Sequence, residues 1–234
     1  MKLNMKWTCI VLLFLLLPVT AYSQTGLYEL RQGRMAAGIG IAGLDLSRSQ
    51  DAIGIRGSFS YGMSNHTRIA VISTIGSLAR NRYGSELDVP PSLVIGIQSV
   101  HTRPLGQTGL DYFLTGAFYR GFSSGVSRPL NAPAEATLLS VRTNGLSGGG
   151  GISKRLETNF GWLLNPFCGV SYSRSWTRVS RTEAPEIILN RVRSGYGGQV
   201  GLEIELSPAI SMRGAFGVSF EDFDGSFSIG LNFH

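Results

Sequence analysis

Ser226-Phe227-Ser228-Ile229-Gly230-Leu231-Asn232-Phe233-His234 closes the sequence, and in it Phe227, Ile229, Leu231 and Phe233 alternate with Ser226, Ser228, Gly230 and Asn232. Successive side chains of a strand point to opposite faces, so a strand over 227–233 has one wholly apolar face and one that is small or polar throughout. The segment before it, 210–220, sets Ile210, Met212, Phe216, Val218 and Phe220 against Ser211, Arg213, Ala215, Gly217 and Ser219. The next one back, 191–206, sets Val192, Tyr196, Val200, Leu202, Ile204 and Leu206 against Arg191, Arg193, Gln199, Glu203 and Glu205. Charges on one side of a strand and large apolar residues on the other describe a sheet whose two faces meet different solvents.

Working back along the chain, segments 35–44, 52–63, 68–76, 93–103, 110–122, 138–153 and 160–177 bring the number of strands to ten. Gly148-Gly149-Gly150-Gly151 leaves 138–153 without a consistent phase, which predicts a bulge or a sharp bend there. None of these segments has the run of about 20 apolar residues that a membrane helix needs. Without helices, a chain enters a bilayer only as a closed barrel in which every backbone group is paired. The fold expected is all-β: a closed, antiparallel, up-and-down transmembrane barrel of about ten strands, with eight or twelve as the neighbouring counts.

The first residues read differently. Lys2 and Lys6 precede an apolar run from Ile10 to Leu17, followed by Pro18 and by small residues at Ala21 and Ser23. That is the pattern of a cleavable secretory leader, so the division expected is a signal peptide over 1–23 and a barrel domain over 24–234. Cys9 lies before the apolar run and is lost with the leader, which leaves Cys168 without a partner for a disulfide or a cysteine zinc site. At 43% hydrophobic and 10% aromatic residues the chain is too apolar for disorder. Of 21 basic residues, 19 remain after Lys2 and Lys6 are removed, against 15 acidic ones, a net charge of +4. Only Lys154 among those 19 is lysine, and the arginines are spread singly rather than clustered with aromatics, so nucleic acid is not an expected partner.

On these residues the chain resembles the broad family of small outer-membrane β-barrel proteins of eight to ten strands. Connection lengths agree, because such barrels have short periplasmic turns and longer external loops. The turns near Ser64-Asn65-His66, Pro104-Leu105-Gly106, Glu157-Thr158-Asn159 and Ser207-Pro208-Ala209 are short, whereas the connections around 77–91, 123–136 and 179–186 are long. The resemblance implies a Gram-negative cell outer membrane as destination, with outer-membrane lipid and lipopolysaccharide around the barrel. It also implies that Phe227, Ile229, Leu231 and Phe233 form the signal read by the barrel-assembly machinery, although His234 follows the aromatic on which that pattern usually ends. Being architectural, it carries over no catalytic residue.

Alternation points Arg56, Arg68, Asp111, Arg191, Arg193, Glu203, Glu205 and Arg213 into the lumen as a charge network. A three-residue turn at Ser207–Ala209 would put Leu206 opposite Ile210 and Glu203 opposite Arg213, a cross-strand ion pair. Two readings stay open for this network: a structural plug, or a narrow arginine-lined pore favouring anions. No cofactor or metal is expected, since no two of His66, His101 and His234 share a ligand spacing. The acidic group Glu221-Asp222-Asp224 reads as a solvated hairpin tip. Arg174, Trp176 and Arg178, with Arg80, Arg82 and Tyr83, gather where strands leave the membrane and suit interface anchoring or lipopolysaccharide phosphates. The function expected is a non-enzymatic barrel with a structural, surface-interaction or minor-pore role. The alternatives are an outer-membrane hydrolase of lipid A or peptides, with Ser99 and His101 on one strand face as its pair, and a soluble lipid-binding barrel.

Overall fold

The computed structural model describes residues 31–44, 52–78, 85–88, 92–129, 137–181, 187–220 and 225–234. The leader, the acidic group Glu221-Asp222-Asp224, and Arg80, Arg82 and Tyr83 lie outside the described residues. Within them the chain forms β1 (Met35–Leu44), β2 (Ala52–Gly62), β3 (Thr67–Leu78), β4 (Ser85–Asp88), β5 (Ser92–Pro104), β6 (Asp111–Pro129), β7 (Thr137–Ser153), β8 (Leu156–Glu157), β9 (Leu163–Arg181), β10 (Ile187–Ser207), β11 (Ile210–Ser219) and β12 (Gly225–Phe233). Every pairing is antiparallel.

Ten of these strands close into a ring in the order β10-β11-β12-β1-β2-β3-β5-β6-β7-β9, and β9 returns to pair with β10. β4 adds to β6 and β8 to β9 as short outgrowths. The ring leaves no open edge, which is what a spanning sheet requires. β6, β9 and β10 run to 19, 19 and 21 residues, well past the segments read from the sequence. Their added length lies at the end away from the chain termini, called here the loop end, where Ser, Thr and Arg weaken the apolar alternation but backbone pairing continues.

At the opposite, turn end the connections are tight and locally determined. The Ser64 hydroxyl accepts from the backbone N–H groups of His66 and Thr67 at 3.2 and 3.1 Å. The Thr158 hydroxyl both accepts from Trp162 N–H and donates to Trp162 C=O, and Gly161 supplies the positive φ of 77° this turn needs. Ser207 pairs with Ile210 across a register shift after Glu205, so the β10–β11 turn is tighter than the three-residue one expected. The shift is absorbed at Leu206, and Glu203 still faces Arg213.

Polarity is inverted relative to a water-soluble barrel. Ile39, Ile55, Val170, Tyr196 and Ile229 are each more than half exposed on the outer wall, whereas Arg68, Gln98, Gln199, Glu203 and Arg213 are buried. Val218 keeps the outward parity of Met212 and Phe216 but is buried. Among the described residues Val100, Phe113, Phe167 and Ala215 form a buried apolar cluster, and Ala36 and Ala70 are buried as well.

The bulge expected at Gly148–Gly151 is absent: these residues pair in continuous register with β6 on one side and β9 on the other. Their bareness serves packing instead of bending. A Cβ on Gly151 would strike the Cys168 carbonyl and the tip of the Phe113 ring, and one on Gly149 would meet the Val170 carbonyl at 2.5 Å. The glycines therefore let β7 and β9 approach closely while the Phe113 ring lies over Gly151 and Gly169 inside the lumen.

Candidate functional site: a charged cluster in the lumen

Register brings the central residues into one row. Glu203 faces Arg213, Arg213 faces Gly230, Gly230 faces Gly40, Gly40 faces Arg56, and Arg56 faces Thr74. Two glycines thus separate two inward arginines, leaving their long side chains to lean over bare backbone. Arg68 stands on β3, half-way round the ring from β10, and its charge comes near enough to Glu203 for attraction. The charged cluster therefore reaches across the lumen instead of lying along one wall.

Two phenyl rings complete it. Phe113 and Phe167 meet edge to face with centroids 6.2 Å apart and planes at 86°, an arrangement the ring quadrupoles favour. The Arg213 guanidinium carbon sits 4.3 Å from the Phe167 ring centroid, a cation–π contact. Phe167 has Gly201 as its neighbour on β10, and a Cβ there would collide with the ring. Glu203 has no exposed surface, and its Oε1 accepts a hydrogen bond from the Ser211 hydroxyl at 3.4 Å. Asn232 Nδ2 donates to Ser211 Oγ at 3.5 Å, and His234 Nε2 lies 3.1 Å from the same oxygen.

Ser211, His234 and Glu203 together have the residue types of a catalytic triad, but not its geometry. In a triad the acid orients the histidine through its second nitrogen, whereas here Glu203 engages the serine directly. Ser211 is also fully buried, with no face left for a substrate. Ser99 and His101 do share the outer face of β5, yet each is engaged elsewhere. The Ser99 hydroxyl donates to the Gly116 carbonyl at 3.5 Å, and His101 Nδ1 is 2.9 Å from Thr67 Oγ1.

Of the eight charges assigned to the lumen, Arg68, Glu203, Glu205 and Arg213 are buried, and Arg56 is half-buried. Asp111 is half-buried at the turn end, opposite Pro104 and Ser153, and stands apart from the row of Glu203 and Arg213. Arg191 and Arg193 keep the inward parity of Glu203 but are exposed, because β10 continues past the filled part of the barrel and carries them to the loop end. They do not belong to the buried cluster. Phe113 and Phe167 escaped the sequence reading; the available signal was a large aromatic in the inward phase opposite glycines. Ile229, Leu231 and Phe233 are exposed on the outer wall, while Phe227 turns over Gly43 of β1, where a Cβ would strike its ring.

The same architecture occurs in solved structures. The translocator domain of the autotransporter NalP from Neisseria meningitidis matches 89% of this chain and 91% of its own, at 12% identity and a TM-score of 0.53. This chain has the fold of a small outer-membrane β-barrel. The barrel is also similar to the β domain of the Bordetella autotransporter BrkA, with 13% identity, a TM-score of 0.51 and coverage of 87% of this chain and 99% of that one. No protein-family model and no curated protein matches the barrel's sequence.

Proposed function

We propose that this chain is exported by its leader, inserted into the Gram-negative outer membrane through its terminal strand by the barrel-assembly machinery, and acts there as a plugged, non-enzymatic barrel whose role lies at its surface. The observation that carries this reading is the inverted polarity: aliphatic side chains cover the wall, and ionised ones are buried behind it. In water, so continuous an exposed apolar band would drive association; in lipid it is the stable arrangement. Outward aromatics bound the band. Trp162 lies at the turn end, and Tyr172 packs against Tyr196 with ring centroids 5.0 Å apart and planes tilted by 52°. About ten residues of strand at ~3.3 Å each, tilted by about 40°, separate Trp162 from Tyr172, which gives roughly the 25 Å height of such a band. Fractionation of cells is expected to recover the protein only with detergent; release in a periplasmic wash would support the soluble lipid-binding barrel instead.

Beyond Tyr172 the outer wall becomes basic. Arg142 and Arg178 are direct cross-strand partners, Arg174 lies 5.4 Å from the Trp176 ring and Arg120 5.0 Å from the Phe122 ring. All four arginines are exposed. Like charges placed opposite one another destabilise a sheet unless an anion lies between them, and guanidinium groups bind phosphate well. This face suits the phosphates of lipopolysaccharide in the external leaflet. Adding purified lipopolysaccharide to the barrel in detergent is expected to raise its unfolding midpoint, and the Arg142→Gln/Arg178→Gln variant to lose most of that rise. An equal rise in both would remove lipopolysaccharide from this face.

A further inference from the structure

The row that builds the plug also leaves a hole in it. Gly38 and Gly40 on β1 and Gly230 on β12 present only backbone to the lumen, and between them lies a cavity of about 40 Å³. Arg56, Ser58, Arg213, Ser228 and Asn232 line it. The glycines are held bare by their neighbours: a Cβ on Gly38 would meet Asn232 Oδ1 at 2.5 Å and Ser58 Oγ at 2.6 Å, and one on Gly40 would meet the Ile229 carbonyl at 2.5 Å. A volume of this size holds about three waters, or one tetrahedral oxyanion, by the usual measure of some 10–15 Å³ per water.

Charge decides between those occupants. Three guanidinium groups, on Arg56, Arg68 and Arg213, share the plug with two carboxylates, Glu203 and Glu205. Glu203 faces Arg213 and attracts Arg68. Arg56 is set against Thr74 on one side and Gly40 on the other, and among the described residues the charge that bears on it is that of Arg213, which repels. Its Nη2 is buried without a hydrogen-bond partner among the described residues. A guanidinium stays protonated and offers only donors, and a buried cation without a counter-charge is strongly destabilising. Water supplies an acceptor but no charge. We infer that this cavity is a binding site for a small oxyanion of the phosphate class, held between Arg56 and Arg213 and hydrogen-bonded by Ser58, Ser228 and Asn232.

Toward the loop end the next inward residues beside the cavity are Ala215, Ser228, Ala42, Gly54 and Gly76, all small, so an anion would enter from that side. The test uses the mature barrel folded in detergent, so it does not depend on where the protein resides. Its unfolding midpoint is compared in inorganic phosphate and in a bulky sulfonate buffer of equal ionic strength. The expected result is a saturable rise of several degrees in phosphate for the natural protein, abolished in Arg56→Met. Ser58→Leu, which fills the cavity while keeping both arginines, gives the same loss and covers the case in which Arg56→Met does not fold. Arg142→Gln/Arg178→Gln keeps the rise, separating the cavity from the outer arginine face. Identical midpoints in the two salts, or a phosphate effect that survives both lumen variants, overturns the inference.

Discussion

Arg213→Glu is expected to lower the unfolding midpoint of the detergent-folded barrel by about 10 °C or more. Reversing this charge sets a second carboxylate directly opposite Glu203, a residue with no exposed surface, and breaking a buried pair costs about 3–5 kcal/mol, at about 2–4 °C per kcal/mol for a chain of this size. It also removes the guanidinium from the face of Phe167. Arg213→Met, which deletes the charge but keeps a chain that lies against the ring, is expected to cost less, because Arg68 still attracts Glu203. Swapping both charges, with Glu203→Arg and Arg213→Glu, restores the pair but only part of the stability. The guanidinium moved to β10 repels Arg68, and the carboxylate moved to β11 cannot stack on Phe167. The compact-to-extended shift on gels after heating measures all three; a double variant as weak as Arg213→Glu alone would show that the two side chains are not energetically coupled.

That pair was legible because it needed only parity and one turn. Once 191–206 and 210–220 were read as alternating strands, Glu203 and Arg213 had to share a face, and the short Ser207–Ala209 connection limited the register to a residue or so. The turn itself was misjudged, since the tighter link and its register shift depend on local backbone geometry that composition does not report. The ring of ten strands was legible for a similar reason: a one-residue slip anywhere would turn arginines and glutamates to lipid, so the pattern holds the register.

Gly148–Gly151 shows where periodicity fails. A run without side chains has no phase, so the sequence offered a bend, while the reason for the glycines sits on other strands, in the ring of Phe113 and the backbone of β9. The extent of the charged cluster was hidden for another reason. Parity assigns Arg191 and Arg193 to the same face as Glu203, but burial depends on how far along β10 the lumen is filled, and that is set by Phe113 and Phe167 from the other side of the barrel.

Those two rings also offer a test between a plug and a pore. With Phe113 and Phe167 crossed in the lumen, Arg213 against one of them, and Arg68 reaching toward Glu203 from the far wall, the natural barrel is expected to show no discrete conductance in planar bilayers. Phe113→Ala/Phe167→Ala removes both rings, while Gly151, Gly169 and Gly201 around them offer no side chain to replace them. Each Phe→Ala change in a packed site costs about 3–5 kcal/mol, so the variant unfolds at a lower temperature. It is nonetheless expected to conduct in discrete steps, because a closed sheet keeps its pairing when its filling is lost. Arg56, Arg68 and Arg213 then outnumber Glu203 and Glu205 along the opened path, so the reversal potential in a salt gradient shifts toward that of the anion. Conductance by the natural protein at the level of the variant would mean that the rings do not close the lumen, and the arginine-lined pore would replace the plug.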